Sequence, residues 1–445
     1  MKSHKPKKFT FKSYICSIKE CISSPDIFKL VPICILVFLF FAFCHKSPSS
    51  PKISEFEEMP EISASDAINE TAPAESIAET EDLGDSEKRC LDITMLYKEL
   101  YVKAEKTVSD YYLNTTVISQ NEIDKIEIFL SDKGYPVVNS DSKYPAYLEN
   151  SDGVYEFWKA VSENNDAEQE LITISPSGGL YYALLQYSNG QRHYTGITVA
   201  WDENNEPFVS ETEHIEVLDW DLTDSGDFYY QIYSSRRPYD DYILVRLKAV
   251  NKTLYELTDK YLSPIGYISN NMFVCDWSCK DYGELSFNDL LEFFYKIKNK
   301  DYFYAQDYPI VWEPYYHSYI PSSLFESTIM PYFDISLKEL RKRSLYDSEN
   351  DTYPWQEVCS DNLTFYPTVE PEVVKYRDNG DGTFTLTVHA RCDDYKTDCV
   401  FAHEVVIRFL NNGGYQYLSN KITYKSHYEM PPNYPRLPEQ RNAHH

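Results

Sequence analysis

Residues 383–392, TFTLTVHARC, and 399–409, CVFAHEVVIRF, decide the reading of this chain. In the first, Phe384, Leu386, Val388 and Ala390 alternate with polar residues. In the second, Phe401, Val405, Ile407 and Phe409 keep the same period. A period of two is the mark of a strand with one face buried. The two apolar faces coincide when Leu386 stands against Val405 and Phe384 against Ile407. That register sets Cys392 against Cys399 and turns His403 inward, opposite Val388. A disulfide between Cys392 and Cys399 follows as an expectation.

Working outward, further strands are expected near Glu372–Tyr376 and Tyr415–Tyr424. Asp378-Asn379-Gly380-Asp381-Gly382 lacks the D-x-D-x-D-G spacing of a calcium loop and reads as a hairpin turn. Before these strands come helical patterns at Ser286–Lys298, capped by Ser286, and at Pro321–Met330 and Ser336–Arg343. Helices followed by a curved meander give an α+β second lobe over 283–428, analogous to a nuclear-transport-factor or cystatin-like cone. A first α+β lobe is expected over 90–282. Helical spacing runs through Leu91, Met95, Leu96, Leu100 and Val108, then Ile123–Leu130 and Val154–Val161. Leu171–Leu247 is strand-like, with turns at Asn189-Gly190 and Thr223–Asp227.

The 445 residues carry 42 Lys+Arg and 70 Asp+Glu, a net charge of −28. Such a chain is unsuited to holding nucleic acid by its phosphates, so no nucleic-acid partner is expected. Hydrophobic residues at 42% and aromatics at 16% are enough to build a core. Forty tyrosines against 14 glycines favour pleated surfaces over Gly-rich phosphate loops.

The amino-terminal end differs in kind. Residues 1–29 form a basic tail with seven lysines, and Leu30–Cys44 is a charge-free run, LVPICILVFLFFAFC. Fifteen residues span about 22 Å as a helix, and adding Ile27, Phe28 and a snorkelling Lys29 brings 27–44 near the length of a membrane anchor. Lysines before it and acids after it place the amino terminus in the cytoplasm and the bulk outside. Neither an A-x-A cleavage pattern nor a small residue before Cys44 is present. The expectation is a single-pass plasma-membrane protein anchored through Leu30–Cys44. Residues 45–89 hold twelve acids, three lysines and almost no aromatics, as expected of a disordered acidic stalk. Residues 429–445 read as a flexible tail.

Candidate chemistry is sparse. Six cysteines follow the anchor segment: Cys90, Cys275, Cys279, Cys359, Cys392 and Cys399. An extracytoplasmic setting favours disulfides, with Cys275–Cys279 as a second local pair and Cys90–Cys359 left by subtraction. Zinc is disfavoured because no CxxC pair exists, and no metal or cofactor is expected. Asp219-Trp220-Asp221 follows a strand-like run and has the D-x-D form of membrane-tethered glycosyltransferases, whose carboxylates hold a divalent ion. The competing reading is a solvated strand end with Trp220 in the core. His403 is a weak binding candidate; an inward imidazole is more often a satisfied core residue. Trp312, within the aromatic stretch Tyr302–Tyr319, could stack on sugar rings or simply pack inside. No GxSxG, HExxH, Walker or SxxK pattern is present.

Several short runs carry a resemblance. They are Pro264-Ile265-Gly266-Tyr267, Asn270-Asn271-Met272-Phe273, Phe325-Glu326 to Pro331-Tyr332-Phe333, Leu340-Arg341, Asp381-Gly382-Thr383 and Arg391-Cys392. Together, over roughly Leu171 to Lys421, the chain resembles a DUF6070-like family of uncharacterised, membrane-anchored cell-envelope proteins of Gram-positive anaerobic bacteria. The resemblance implies an envelope setting and carries no activity. N-x-S/T sequons, among them Asn69, Asn114, Asn251 and Asn362, leave a eukaryotic secretory setting open. The functional expectation is a binding or interaction module facing an envelope polymer or protein; the alternative is a tethered enzyme acting on carbohydrate through Asp219 and Asp221.

Overall fold

The computed structural model describes residues 84–109, 115–140, 143–233, 241–267, 272–304, 307–312, 315–358 and 368–442. The expected anchor, nearly all of the stalk, Cys359 and three of the sequons lie outside these residues. Among the described residues no helix is long and apolar enough to cross a membrane. Two compact units divide them: those up to Phe129 with Thr173–Ala183 and Gly196–Glu213, and Leu130–Ile172 with Leu184–Thr195 and those from His214 onward. The boundary expected at Gly283 falls inside the second unit.

Helix α1 (Asp85–Leu96) starts inside the segment read as stalk, with Glu87 reaching back to the Gly84 amide at 2.9 Å. After α2 (Lys98–Lys103), Val108 lies in a short strand, Lys106–Ser109, rather than in the helix its spacing suggested. The core of the first unit is aromatic. Tyr101 stacks on Trp201 at 4.2 Å, and the Trp201 indole donates to the Gly178 carbonyl at 2.8 Å. Gly178 has φ +77°, and a Cβ there would meet the Tyr101 ring at 2.7 Å, so only glycine fits.

Helices α3 (Gln120–Asp132) and α4 (Asp152–Ser162) lie where the sequence places them. Six strands follow: β1 (Ala167–Ile174), β2 (Leu180–Ser188), β3 (Gln191–Trp201), β4 (Pro207–Leu222), β5 (Asp227–Ile232) and β6 (Asp241–Arg246). They form one sheet in the order β6-β5-β4-β3-β2-β1. Asn189 and Gly190 make the β2–β3 turn with φ of 51° and 79°, the positive pair a tight hairpin requires.

Helix α5 (Lys252–Tyr261) is capped by Asn251, whose side chain accepts from the Leu254 amide at 3.2 Å. It packs on the second sheet, built from β7 (Trp277–Ser278), β11 (Glu370–Asp378), β12 (Thr383–Cys392), β13 (Thr397–Phe409) and β14 (Tyr415–Lys425). Between β7 and β11 come α6 (Leu291–Asn299), α7 (Ser322–Ile329), α8 (Leu337–Arg343) and a small sheet of β8 (Ile310–Val311), β9 (His317–Pro321) and β10 (Thr352–Trp355). The second sheet runs β7-β14-β13-β12-β11 and is curled into a half-barrel. Its bending has a local cause, since bulges interrupt pairing at Val373/Lys375, Ala390/Cys392, Ala402/His403 and Val406/Ile407. Its buried face includes Leu386, Val388, Val405 and Ile407, which share one core cluster with Phe294 and Phe325.

Ser286 does not cap a helix. A 3-10 turn, Asn288–Leu290, comes first, and the buried Ser286 hydroxyl donates to Gln440 Oε1 at 2.6 Å. That bond belongs to a larger departure. The segment read as a flexible tail folds back and is held by Arg436, whose side chain is 0% exposed. Its guanidinium donates to Asp289 at 3.2 Å and Glu292 at 2.8 Å, and to the Asp289 carbonyl at 2.7 Å. Helix α9 (Pro438–Asn442) then sets Gln440 against Asn288 at 2.8 Å.

Candidate functional site

Asp219 and Asp221 sit on β4 with Trp220 turned to the other face and buried. Trp220 meets Phe157 edge-on at 5.1 Å. The Asp219 carboxylate is taken up by cations, Lys396 on one oxygen and Arg192 at 3.3 Å on the other. Partial burial opposes its charge, but the Lys396 ammonium, with help from Arg192, holds the carboxyl below its usual range. Asp221 accepts from the Leu222 amide at 2.8 Å. Among the described residues no three carboxylate, histidine or cysteine side chains converge on a metal position. The D-x-D is an ion-paired strand end.

His403 is inward, opposite Val388, as the register requires, and is 0% exposed. The Asn420 amide fixes its tautomer. Asn420 Nδ2 donates to the Cys275 carbonyl at 2.8 Å, so its Oδ1 faces His403 Nδ1 at 2.6 Å and accepts the ring N–H. Nε2 is then the acceptor for the Tyr267 hydroxyl at 2.8 Å. Burial pulls the imidazole pKa down from 6.5 to about 4, so the ring is neutral. Both nitrogens are satisfied internally and none is left for a ligand.

The cysteine expectation is corrected by the bulge. The predicted register holds from Phe384↔Ile407 to Ala390↔Phe401, then slips so that Cys392 stands opposite Thr397. Cys399 is displaced by two residues along β13, a diagonal of about 7–8 Å between Cα atoms, beyond easy reach of a disulfide. Cys279, Cys392 and Cys399 are unbridged in the structure, so neither expected disulfide, Cys392–Cys399 or Cys275–Cys279, is seen there. Burial pushes the Cys392 and Cys399 thiols up to about 11.

The stretch Tyr302–Tyr319 divides. Phe303 is buried against Trp355 at 4.8 Å, and His317 lies inside. Trp312, just past β8, is 71% exposed, with the Tyr316 ring 5.0 Å away. Tyr319 on β9 and Ile310 on β8 are also exposed.

Three features escape a linear reading. The first is a buried charge cluster around Arg391, 4% exposed on β12. Its guanidinium lies 3.0 Å from Asp227 on β5, 3.5 Å from Glu372 on β11 and 3.0 Å from Asp393. Arg246 on β6 joins through Glu372 at 3.3 Å. Burial raises the Asp227 carboxyl, whereas Arg246 and Arg391 overcome the same effect at Glu372 and hold it low. Each of these charges finds an opposite partner, as a buried ion requires. The second is a shallow polar cleft of about 310 Å³ lined by His193, Thr195, His214 and Glu216, with Thr195 Oγ1 3.0 Å from His214 Nδ1. The i, i+2 spacing of His193 with Thr195 and of His214 with Glu216 was the available signal. The third is a groove of about 610 Å³ beside the end of β14.

None of these arrangements assembles a nucleophile, base and oxyanion donor in one cleft. The sequence pattern of a family of unknown function, DUF6070, matches residues 84–436, which covers both compact units as far as Arg436. No curated protein and no solved structure matches. The chain belongs to the DUF6070 family of unknown function.

Proposed function

We propose that this protein is a binding module at the cell envelope, single-pass in the plasma membrane through Leu30–Cys44, with residues from the acidic stalk onward outside the cell. Trp312 is the surface that meets the envelope polymer. The observation that carries this reading is the exposure of Trp312, 71%, beside the Tyr316 ring. An indole and a phenol side by side offer apolar faces to the C–H face of a sugar ring at little loss of conformational entropy. A net charge of −28 repels phosphate-rich polymers, which leaves neutral glycan as the favoured partner. The alternative, catalysis at Asp219 and Asp221, draws no support from carboxylates already paired or bonded within the fold.

The test is a titration of the full chain in detergent micelles with a soluble hexamer of β-1,4-linked N-acetylglucosamine, followed by tryptophan fluorescence. Saturable binding is expected, with loss on Trp312→Ala. The same substitution should leave stability within about 0.5 kcal/mol, as befits an exposed side chain. Undiminished binding by the variant, or none by the parent chain, would reject Trp312 as the platform.

A further inference from the structure

The groove beside β14 has the build of a strand-docking site. Strand β7 covers β14 only at Trp277↔Asn420 and Ser278↔Ser419, and the Cys279 amide donates to Leu418 at 2.7 Å. β14 continues to Lys425, paired on its other side with β13 as far as Phe401↔Lys425. Past Asn420, no strand among the described residues lies on the outer edge. There the Ile422 amide is met by a side chain, Asp276 Oδ1 at 2.7 Å. The open edge forms one wall of the groove; Val274–Asp276 and the Met430–Asn433 segment form the others. One atom in that segment points to a missing donor. Asn433 Nδ2 donates to Glu284 at 2.5 Å, but its Oδ1 is buried and has no hydrogen-bond partner among the described residues. A buried acceptor without a partner is costly, and a ligand bearing N–H groups would relieve it.

We propose that this groove binds an extended peptide segment of a protein partner, added as a further strand along Ile422–Lys425, with one basic side chain set against Asp276 and Glu284. Backbone amides supply the affinity and the alternate side chains the selectivity. The charges fix the sign of the partner. The lining holds two carboxylates, Asp276 and Glu284, against one cation, Lys425, so a single lysine or arginine suits the groove and a polybasic run does not. The groove is separate from the Trp312 surface, and its occupancy does not depend on glycan binding.

The experiment uses the full chain in detergent and three fluorescein-labelled eight-residue peptides. One alternates valine and threonine around a central lysine, the second has glutamate in place of lysine, and the third is the lysine peptide with alternate amides N-methylated. Fluorescence anisotropy should show saturable binding of the first, at least about tenfold weaker binding of the second, and none of the third; tenfold corresponds to about 1.4 kcal/mol. Asp276→Lys should reverse the preference, and Lys425→Glu, farther from the fold's own bonds, should strengthen the lysine peptide. Near-ultraviolet circular dichroism checks that each variant is folded. Equal binding by the methylated peptide, or no binding of the lysine peptide up to about 1 mM, overturns the proposal. Peptide-independent dimerisation in sedimentation, abolished by Lys425→Glu, would assign the edge to a second copy and overturn it equally.

Discussion

His403 shows how a residue suggestive in sequence becomes inert in the fold. Its neutral ring links Tyr267 to Asn420, and through Asn420 to the Cys275 carbonyl, in one chain of donors and acceptors. A folded-state pKa of about 4 against 6.5 means that unfolding favours proton uptake. The stability this group contributes is therefore complete above about pH 6.5 and is lost as pH falls toward 4. Asn420→Leu removes the acceptor for Nδ1 and should cost about 1–3 kcal/mol in urea unfolding at neutral pH. A loss below about 0.5 kcal/mol would show that the chain of bonds contributes little. Arg391 and Arg436 teach the reverse lesson. Each reads as an ordinary surface arginine, because most of the acids that hold them come from remote parts of the sequence; Arg436 lies 147 residues from Asp289. Nothing local in MPPNYPRLPEQ distinguishes an anchored segment from a loose one.

Strands were legible wherever one face is apolar with a period of two, because slipping by one residue would turn that face to solvent. The β12–β13 register follows from Phe384–Ala390 and Phe401–Phe409 alone, and the structure keeps it over that span. The bulge between Ala390 and Cys392 was not legible, since an inserted residue breaks the alternation that a sequence argument assumes. The thiol state hangs on this single slip. Unfolding non-reduced protein in guanidinium with iodoacetamide present should alkylate both Cys392 and Cys399. Recovery of the two joined in one digest product would mean that the hairpin adopts the unslipped register in the protein as made. Helices with a clear apolar stripe, α3 and α4, were equally readable, whereas Ser286 misled because its hydroxyl serves Gln440.

At the scale of the whole molecule, charge arrangement sets orientation. Seven lysines ahead of Leu30–Cys44 and twelve acids behind it predict an N-in, C-out topology. Protease added to intact cells should remove a tag fused after His445; full protection of the tag would reject the topology and the envelope assignment together. The fastening of Arg436 to Asp289 and Glu292 also has a consequence for the order of events in the cell. Asp289 and Glu292 wait in the interior for a guanidinium that is made 147 residues after Asp289, so this core is complete only once Arg436 has been synthesised. Until then the two carboxylates lack their cation, and the Met430–Gln440 segment acts as the closing step.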